Sequence, residues 1–276
     1  MTEDHFETTG GLKLFMRSWR ASAGLRGLVV IVPGFNSHSG YYSWVAEQLT
    51  RSNLSVYAID LRGRGQSDGE RFYVDRFADY VDDVAALVAL AKSRDPGLPV
   101  FLLGHSAGGV VACLYALDHP SELSGLICES FAYQLPAPDV VLAVLKGLSH
   151  VAPHAHVLKL KNEDFSRDKA AVQKMNDDPL IAGEAQPTQT LAEMVRADQR
   201  LKAEFPLITL PLLILHGTGD KAAQASGSQF FHDTAGSRDK TLKLYDDRFH
   251  DLLNDIGKED VMAEIETWIG RHLPSR

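Results

Sequence analysis

A chain of 276 residues with 45% hydrophobic content can bury a full core, and at about 150 residues per domain it is one large domain or a core carrying an insertion. Its formal net charge of −8 at pH 7 and the absence of any long Lys/Arg run leave no basic face for phosphates, so a nucleic acid partner is excluded and a small-molecule substrate is expected. The opening MTEDHFETTGG has neither a basic n-region nor an apolar h-region and no apolar run reaches the ~18 residues of a membrane span, so the expected location is the cytoplasm.

In chain order, residues 6–19 read as a hairpin turning at Gly10-Gly11. Six apolar runs of strand length follow: GLVVIV, LSVYAID, VFLLG, LSGLICES, LPLLILHG and KTLKLY. Helical patterns lie between them. Residues 77–91 set Phe77, Tyr80, Val81, Val84, Leu87 and Val88 on one face, and similar faces follow Tyr42 and Ala107 and recur over 261–273. Strands apolar throughout, alternating with amphipathic helices, predict an α/β fold whose mostly parallel central sheet is covered by helices on both faces. The alternation breaks between about 132 and 206. That stretch holds an apolar run over 140–148, a histidine cluster of His150, His154 and His156, and a polar helical region Thr188–Glu204, with prolines at the joints. The expected organisation is a core of residues 1–131 and 207–276 with a helical cap, 132–206, inserted between two strands. Transient contact of the cap with a membrane surface through 140–148 is left open.

The most informative segment is Gly104-His105-Ser106-Ala107-Gly108-Gly109, between VFLL and VVACLYAL. A serine flanked by close glycines at a strand-to-helix turn is a nucleophile elbow. The turn strains the backbone, lifts the hydroxyl off the sheet edge and aims the first helical N–H groups at the reacting centre. A serine hydroxyl needs a base, and the base needs a carboxylate to fix its tautomer. Asp220, in LILHGTGD, and His250, in LYDDRFHDLL, each follow a strand, in the chain order serine, acid, histidine. Glu129, at the end of the strand after the elbow helix, is a rival acid. Asp246, Asp247 and Asp251 read as a solvated acidic loop. The turn after LVVIV, Pro33-Gly34-Phe35-Asn36-Ser37-His38-Ser39-Gly40-Tyr41-Tyr42, lets the backbone approach a scissile carbonyl, so the Phe35 amide is expected to join that of Ala107 as an oxyanion hole. His38 reads as a structural hydrogen-bonding residue. Cys113 and Cys128 read as small core residues without disulfide or metal spacing, and Pro153 interrupts the histidine cluster, so no metal or cofactor is expected.

The segments GFNSHSGYY, AIDLRGRGQSDGER, GHSAGG, FSRD, NDDPL, HGTGDK and DKTLKLYDDRFHDLLND occur in the order found in monoacylglycerol lipases and lysophospholipase-like relatives, which the chain resembles over nearly its whole length. The resemblance implies an α/β-hydrolase fold with a helical cap over an acyl-chain tunnel, a Ser106–His250–Asp220 triad, oxyanion amides from Phe35 and Ala107, and no cofactor. It implies a serine carboxylic ester hydrolase that works through an acyl-enzyme on monoesters with an apolar acyl chain. The alternatives are an esterase for aryl or xenobiotic esters, a lysophospholipase, a thioesterase, or a hydrolase fold that binds ligand without turnover. Aspartate-nucleophile chemistry is disfavoured because Ser106 holds the elbow. The chain departs from the family at Pro33, where histidine is usual, and at Ser37 and Tyr41, which stand where a glutamate and an arginine contact the glycerol head group. These two are therefore the expected substrate contacts, in a leaving-group pocket changed from diol-binding to aromatic.

Overall fold

Strands that carry apolar residues on both faces must be covered on both sides. A computed structural model, which describes residues 1–8, 10–21, 24–133 and 139–274, supplies that cover. Strand β1 (Thr2–Glu7) pairs antiparallel with β2 (Lys13–Trp19), with the chain reversing through Gly11 at φ +77°. The six predicted runs become β3 (Gly27–Val32), β4 (Leu54–Ile59), β5 (Val100–His105), β6 (Gly125–Glu129), β9 (Leu212–Gly217) and β10 (Lys240–Tyr245), all mutually parallel. The eight strands form one sheet in the order β1-β2-β4-β3-β5-β6-β9-β10. The five inner parallel strands are buried throughout, whereas β10, with a single neighbour at the sheet edge, is mostly half-buried or exposed.

Helices α2 (Phe77–Arg94), α3 (Ala107–Asp118) and α7 (Ala225–Thr234) cover one face, where Val84, Leu87, Val110 and Phe231 join Leu28, Leu102 and Ile214 in one core. Helices α1 (Ser43–Arg51) and α8 (Lys258–His272) cover the other, with Val45, Leu49, Ile265 and Trp268 against Val29, Phe101 and Leu213.

Between β6 and β9 run α4 (Asp139–Ser149), β7 (His156–Leu158), α5 (Lys169–Asp177), β8 (Gln186–Pro187) and α6 (Thr188–Glu204), with β7 and β8 paired antiparallel. Of the expected cap, 134–138 and the side chains of Asp139, Val140 and Val141 lie outside the described residues. The polar helix α6 buries Leu191, Met194 and Leu201, and the last two extend the core beneath α3. Among the described residues, no helix is long and apolar enough to cross a membrane.

Candidate active site

The sheet topology brings the carboxyl ends of β3, β5, β6 and β9 side by side, the edge at which parallel sheets collect chemistry. At the end of β5 the chain turns within one residue: Ser106 sits at φ +54°, ψ −121°, and α3 starts at Ala107. So sharp a turn tolerates no side chain where α3 crosses β3. A Cβ on Gly108 would lie 2.1 Å from the Val32 carbonyl oxygen, and one on Gly34 would lie 2.7 Å from Ser106 Cβ. The first closes the helix onto the sheet, and the second brings the turn after β3 against the serine.

Ser106 Oγ donates to His250 Nε2 across 2.8 Å, and His250 Nδ1 donates to Asp220 Oδ2 across 2.7 Å. The carboxylate only accepts, so the imidazole proton lies on Nδ1 and Nε2 is free to accept from the serine. Asp220 is anchored in turn: its Oδ1 accepts from the backbone N–H groups of Ala222 (2.8 Å) and Ala223 (2.9 Å), and His216 Nε2 lies 3.0 Å from Oδ2. Burial alone would raise the Asp220 pKa, but His250 and His216 outweigh it and hold the carboxyl well below the usual range. The His250 ring stands edge-on to Phe165, their centroids 4.9 Å apart.

Glu129 takes another role. Its Oε1 accepts from the backbone N–H of Leu252 (2.8 Å) and from Ser130 Oγ (3.0 Å), which anchors the loop just after His250 instead of meeting the imidazole. Burial, reinforced by the charge of Asp251, pushes its pKa well up, and burial together with the charge of His250 pushes that of His105 well down. Asp251 corrects the expectation of a solvated loop. Asp246 and Asp247 are exposed, but Asp251 is buried, both its oxygens accept from Asn254 Nδ2, and burial raises its pKa to about 6. His105, Glu129 and Asp251 bring their ligand atoms within 4.8 Å of one another, yet the two carboxylates already accept from protein donors. His150, His154 and His156 do not converge on a site; His154 pairs with Glu70 and stacks on Tyr73.

Phe35, Ala107, Ser106 and His250 line one small pocket of about 40 Å³. As the first residue of α3, Ala107 has an amide without an intrahelical acceptor. The pocket shares Leu158, Leu160, Leu191 and Ala222 with an apolar groove of about 510 Å³ walled by Leu142, Leu145 and Leu148. Leu160 also borders a third chamber of about 430 Å³ that sets Asn36, Asn162, Asn176 and Glu184 beside Met175 and Ile181.

The hydrolase family described as serine aminopeptidase, S33, matches residues 23–257. The monoacylglycerol lipase of Mycolicibacterium smegmatis is 31% identical over 99% of this chain and 98% of its own length, and the monoglyceride lipase of Homo sapiens is 33% identical over 97% and 90%. The chain belongs to the monoglyceride lipase family of α/β-hydrolases. The solved monoacylglycerol lipase of Paleococcus ferrophilus shares its fold at a TM-score of 0.85 and 26% identity, over 94% of this chain and 99% of that one. The protein is accordingly a serine ester hydrolase of the monoglyceride lipase type.

Two expected contacts lie elsewhere in this member of the family. The Tyr41 hydroxyl donates to Asp178 Oδ2 (2.9 Å), Lys174 Nζ sits 4.9 Å from its ring centroid, and the residue borders a separate small cavity with Ser166 and Asp251. Ser37 is buried, and neither residue lines the Ser106 pocket. His38 is structural as expected: Nδ1 accepts from the Gly40 N–H and Nε2 donates to the same Asp178 oxygen. The sequence reading missed His216, whose only signal is its place in HGTGD, and Asn36, Arg64 and Glu184, whose partners lie far away in the chain.

Proposed function

We propose that the protein hydrolyses monoesters of apolar acyl chains with polar alcohols, through an acyl-enzyme on Ser106. The observation that carries this reading is a relay of 2.8 and 2.7 Å beside a pocket that shares Leu160 with both an apolar groove and a chamber bordered by Asn36, Asn162, Asn176 and Glu184. Ser106 Oγ attacks the carbonyl carbon while His250 Nε2 takes its proton. Asp220 stabilises the imidazolium, and the Phe35 and Ala107 amides receive the charge on the tetrahedral oxygen. The imidazolium then protonates the leaving alkoxide. Water, activated by the same histidine, releases the acid.

The groove takes the acyl chain and the chamber takes the alcohol, which favours a monoacylglycerol or a lysophospholipid over an aryl ester. Residues 132–206 act as the cap and 1–131 with 207–276 as the catalytic core. The exposed Val144, Leu148, Val151 and Val157 of the cap support transient contact with a membrane surface. A cytoplasmic location fits the two free thiols, buried with their sulfurs 3.6 Å apart.

The test is a fluorophosphonate probe together with a panel of esters of one fatty acid. The probe should label the wild type and not Ser106→Ala, whose turnover should fall about 10³-fold or more. A monoacylglycerol should be preferred to the aryl ester. Labelling of Ser106→Ala would remove the nucleophile, and preference for the aryl ester would remove the polar alcohol.

A further inference from the structure

The turn that carries the Phe35 amide is held by a residue 148 positions away in sequence. Asn36, at φ +50°, lies in the left-handed region, which asparagine adopts readily. Its backbone N–H donates to Glu184 Oε1 (2.9 Å), and its Nδ2 donates to Asn162 Oδ1 (3.0 Å). Both acceptors lie between β6 and β9. The same Glu184 oxygen accepts from Arg64 and from Gln186 Nε2 (2.8 Å). Arg64 in turn lays its guanidinium over the Phe35 ring, Cζ 4.0 Å from the centroid, and donates to Gln186 Oε1 (2.8 Å). Arg64 and Glu184 are each 1% exposed. Phe35 is thereby held on two sides, its ring under Arg64 and its following peptide on Glu184.

The geometry points to Glu184 as a positioning residue of the oxyanion hole, acting through the Asn36 N–H and through Arg64. The inference rests on the reading of Ser106 as nucleophile and of Phe35 as an oxyanion donor. Burying two charges at 1% exposure is costly, and the pair is retained here where one carboxylate oxygen serves a backbone N–H, a guanidinium and an amide together. Shortening the carboxylate by one carbon withdraws it from Asn36 while keeping the charge opposite Arg64. Replacing it by the amide of the same length keeps an acceptor for Asn36 and gives up the charge. Position and charge are therefore separable.

The experiment compares Glu184→Ala, Glu184→Asp and Glu184→Gln with the wild type, counting active sites by fluorophosphonate labelling and measuring kcat per labelled site, KM, and inhibition by a boronic acid that forms a tetrahedral adduct on the serine. Loss of one oxyanion donor costs about 10²–10³ in kcat, so a misaligned one should cost roughly 10–100-fold. Assayed on a p-nitrophenyl ester, whose alcohol has no polyol to place in the chamber that Glu184 borders, Glu184→Ala should lose that much kcat per site with KM changed by less than about threefold, and its inhibition constant should rise in step. Glu184→Asp should lose more kcat than Glu184→Gln, which should stay within about fivefold of wild type. If Glu184→Ala does not fold, the order of the other two decides. Unchanged kcat per labelled site in Glu184→Ala, or an aspartate variant better than the glutamine one, overturns the proposal and leaves Glu184 a structural charge. A wild type that the probe does not label overturns the nucleophile reading and this inference with it.

Discussion

Replacing Asp220 by asparagine exchanges one oxygen for an NH₂ group and should nearly abolish turnover, because the surroundings dictate which way the new amide points. Asp220 Oδ1 accepts from the backbone N–H groups of Ala222 and Ala223, and only the carbonyl oxygen of an asparagine can do the same. The NH₂ group must then occupy the position of Oδ2, 2.7 Å from His250 Nδ1 and 3.0 Å from His216 Nε2. Facing a donor, His250 has to accept at Nδ1 and carry its proton on Nε2, where it confronts Ser106 Oγ as a second donor. The base is lost and the geometry survives. The equivalent change in the serine protease template costs about 10⁴ in kcat, which at 1.36 kcal/mol per decade is about 5.4 kcal/mol of transition-state stabilisation. Glu129→Gln should cost less than about tenfold, since a glutamine oxygen can still accept from Leu252 N–H. Both variants would be assayed by stopped-flow hydrolysis of a p-nitrophenyl ester, corrected for the fraction of folded protein. An Asp220→Asn enzyme above a tenth of wild-type activity, or a larger loss in Glu129→Gln, would refute the argument and return the acid's role to Glu129.

Asp251→Asn should stabilise the protein in a pH-dependent way. With a folded pKa of about 6 against an ordinary 3.8, the native state binds a proton that the unfolded chain has released, so wild-type stability falls as pH rises between those values and the cost is complete above them. The variant's advantage, up to ~3 kcal/mol at neutral pH, should vanish near pH 4 in chemical denaturation, and an advantage independent of pH would contradict the assignment. Gly108→Ala should cost about 3 kcal/mol or more in urea unfolding, because the new methyl would meet the Val32 and Pro33 carbonyl oxygens at 2.1 and 2.5 Å; wild-type stability would mean the helix can shift off the sheet. Leu145→Trp should fill the groove and lower kcat/KM for a palmitoyl ester about tenfold while leaving a butyryl ester unchanged, and an equal effect on both would place the acyl chain elsewhere.

Features set by local backbone demands were legible in the sequence. The five inner parallel strands are buried and largely apolar because helices cover both faces, and the elbow announces itself because a serine at φ +54° requires small neighbours. Helix α6 is legible as a helix, but its polar composition conceals that Met194 and Leu201 complete the core. The β7–β8 ribbon was not legible: three residues against two carry no periodicity, and only the surrounding fold makes them pair. Asp251 was misread because its surroundings come from far along the chain: its N–H donates to the Phe165 carbonyl, and Tyr41 and Ser166 border the same small cavity. Tyr41 was misread because alignment fixes a loop position and not a side-chain partner. Its hydroxyl belongs to Asp178, 137 positions on.

The choice between two candidate acids shows where such reading runs out. Glu129 and Asp220 follow neighbouring parallel strands that end at the same sheet edge, so strand-end placement does not separate them. Register does. Glu129 is the last paired residue of β6, opposite Leu215, and its carboxylate is held inside the sheet edge, where it accepts from Leu252 N–H. Asp220 lies three residues past the end of β9, on a turn whose own N–H groups at Ala222 and Ala223 hold it against the Nδ1 edge of the imidazole. The carboxylate that meets the ring at Nδ1 sits on a loop that extends past the sheet edge. The one confined to the strand here braces the loop that carries the ring. The three-residue extension beyond β9 gives Asp220 the imidazole and leaves Glu129 the loop.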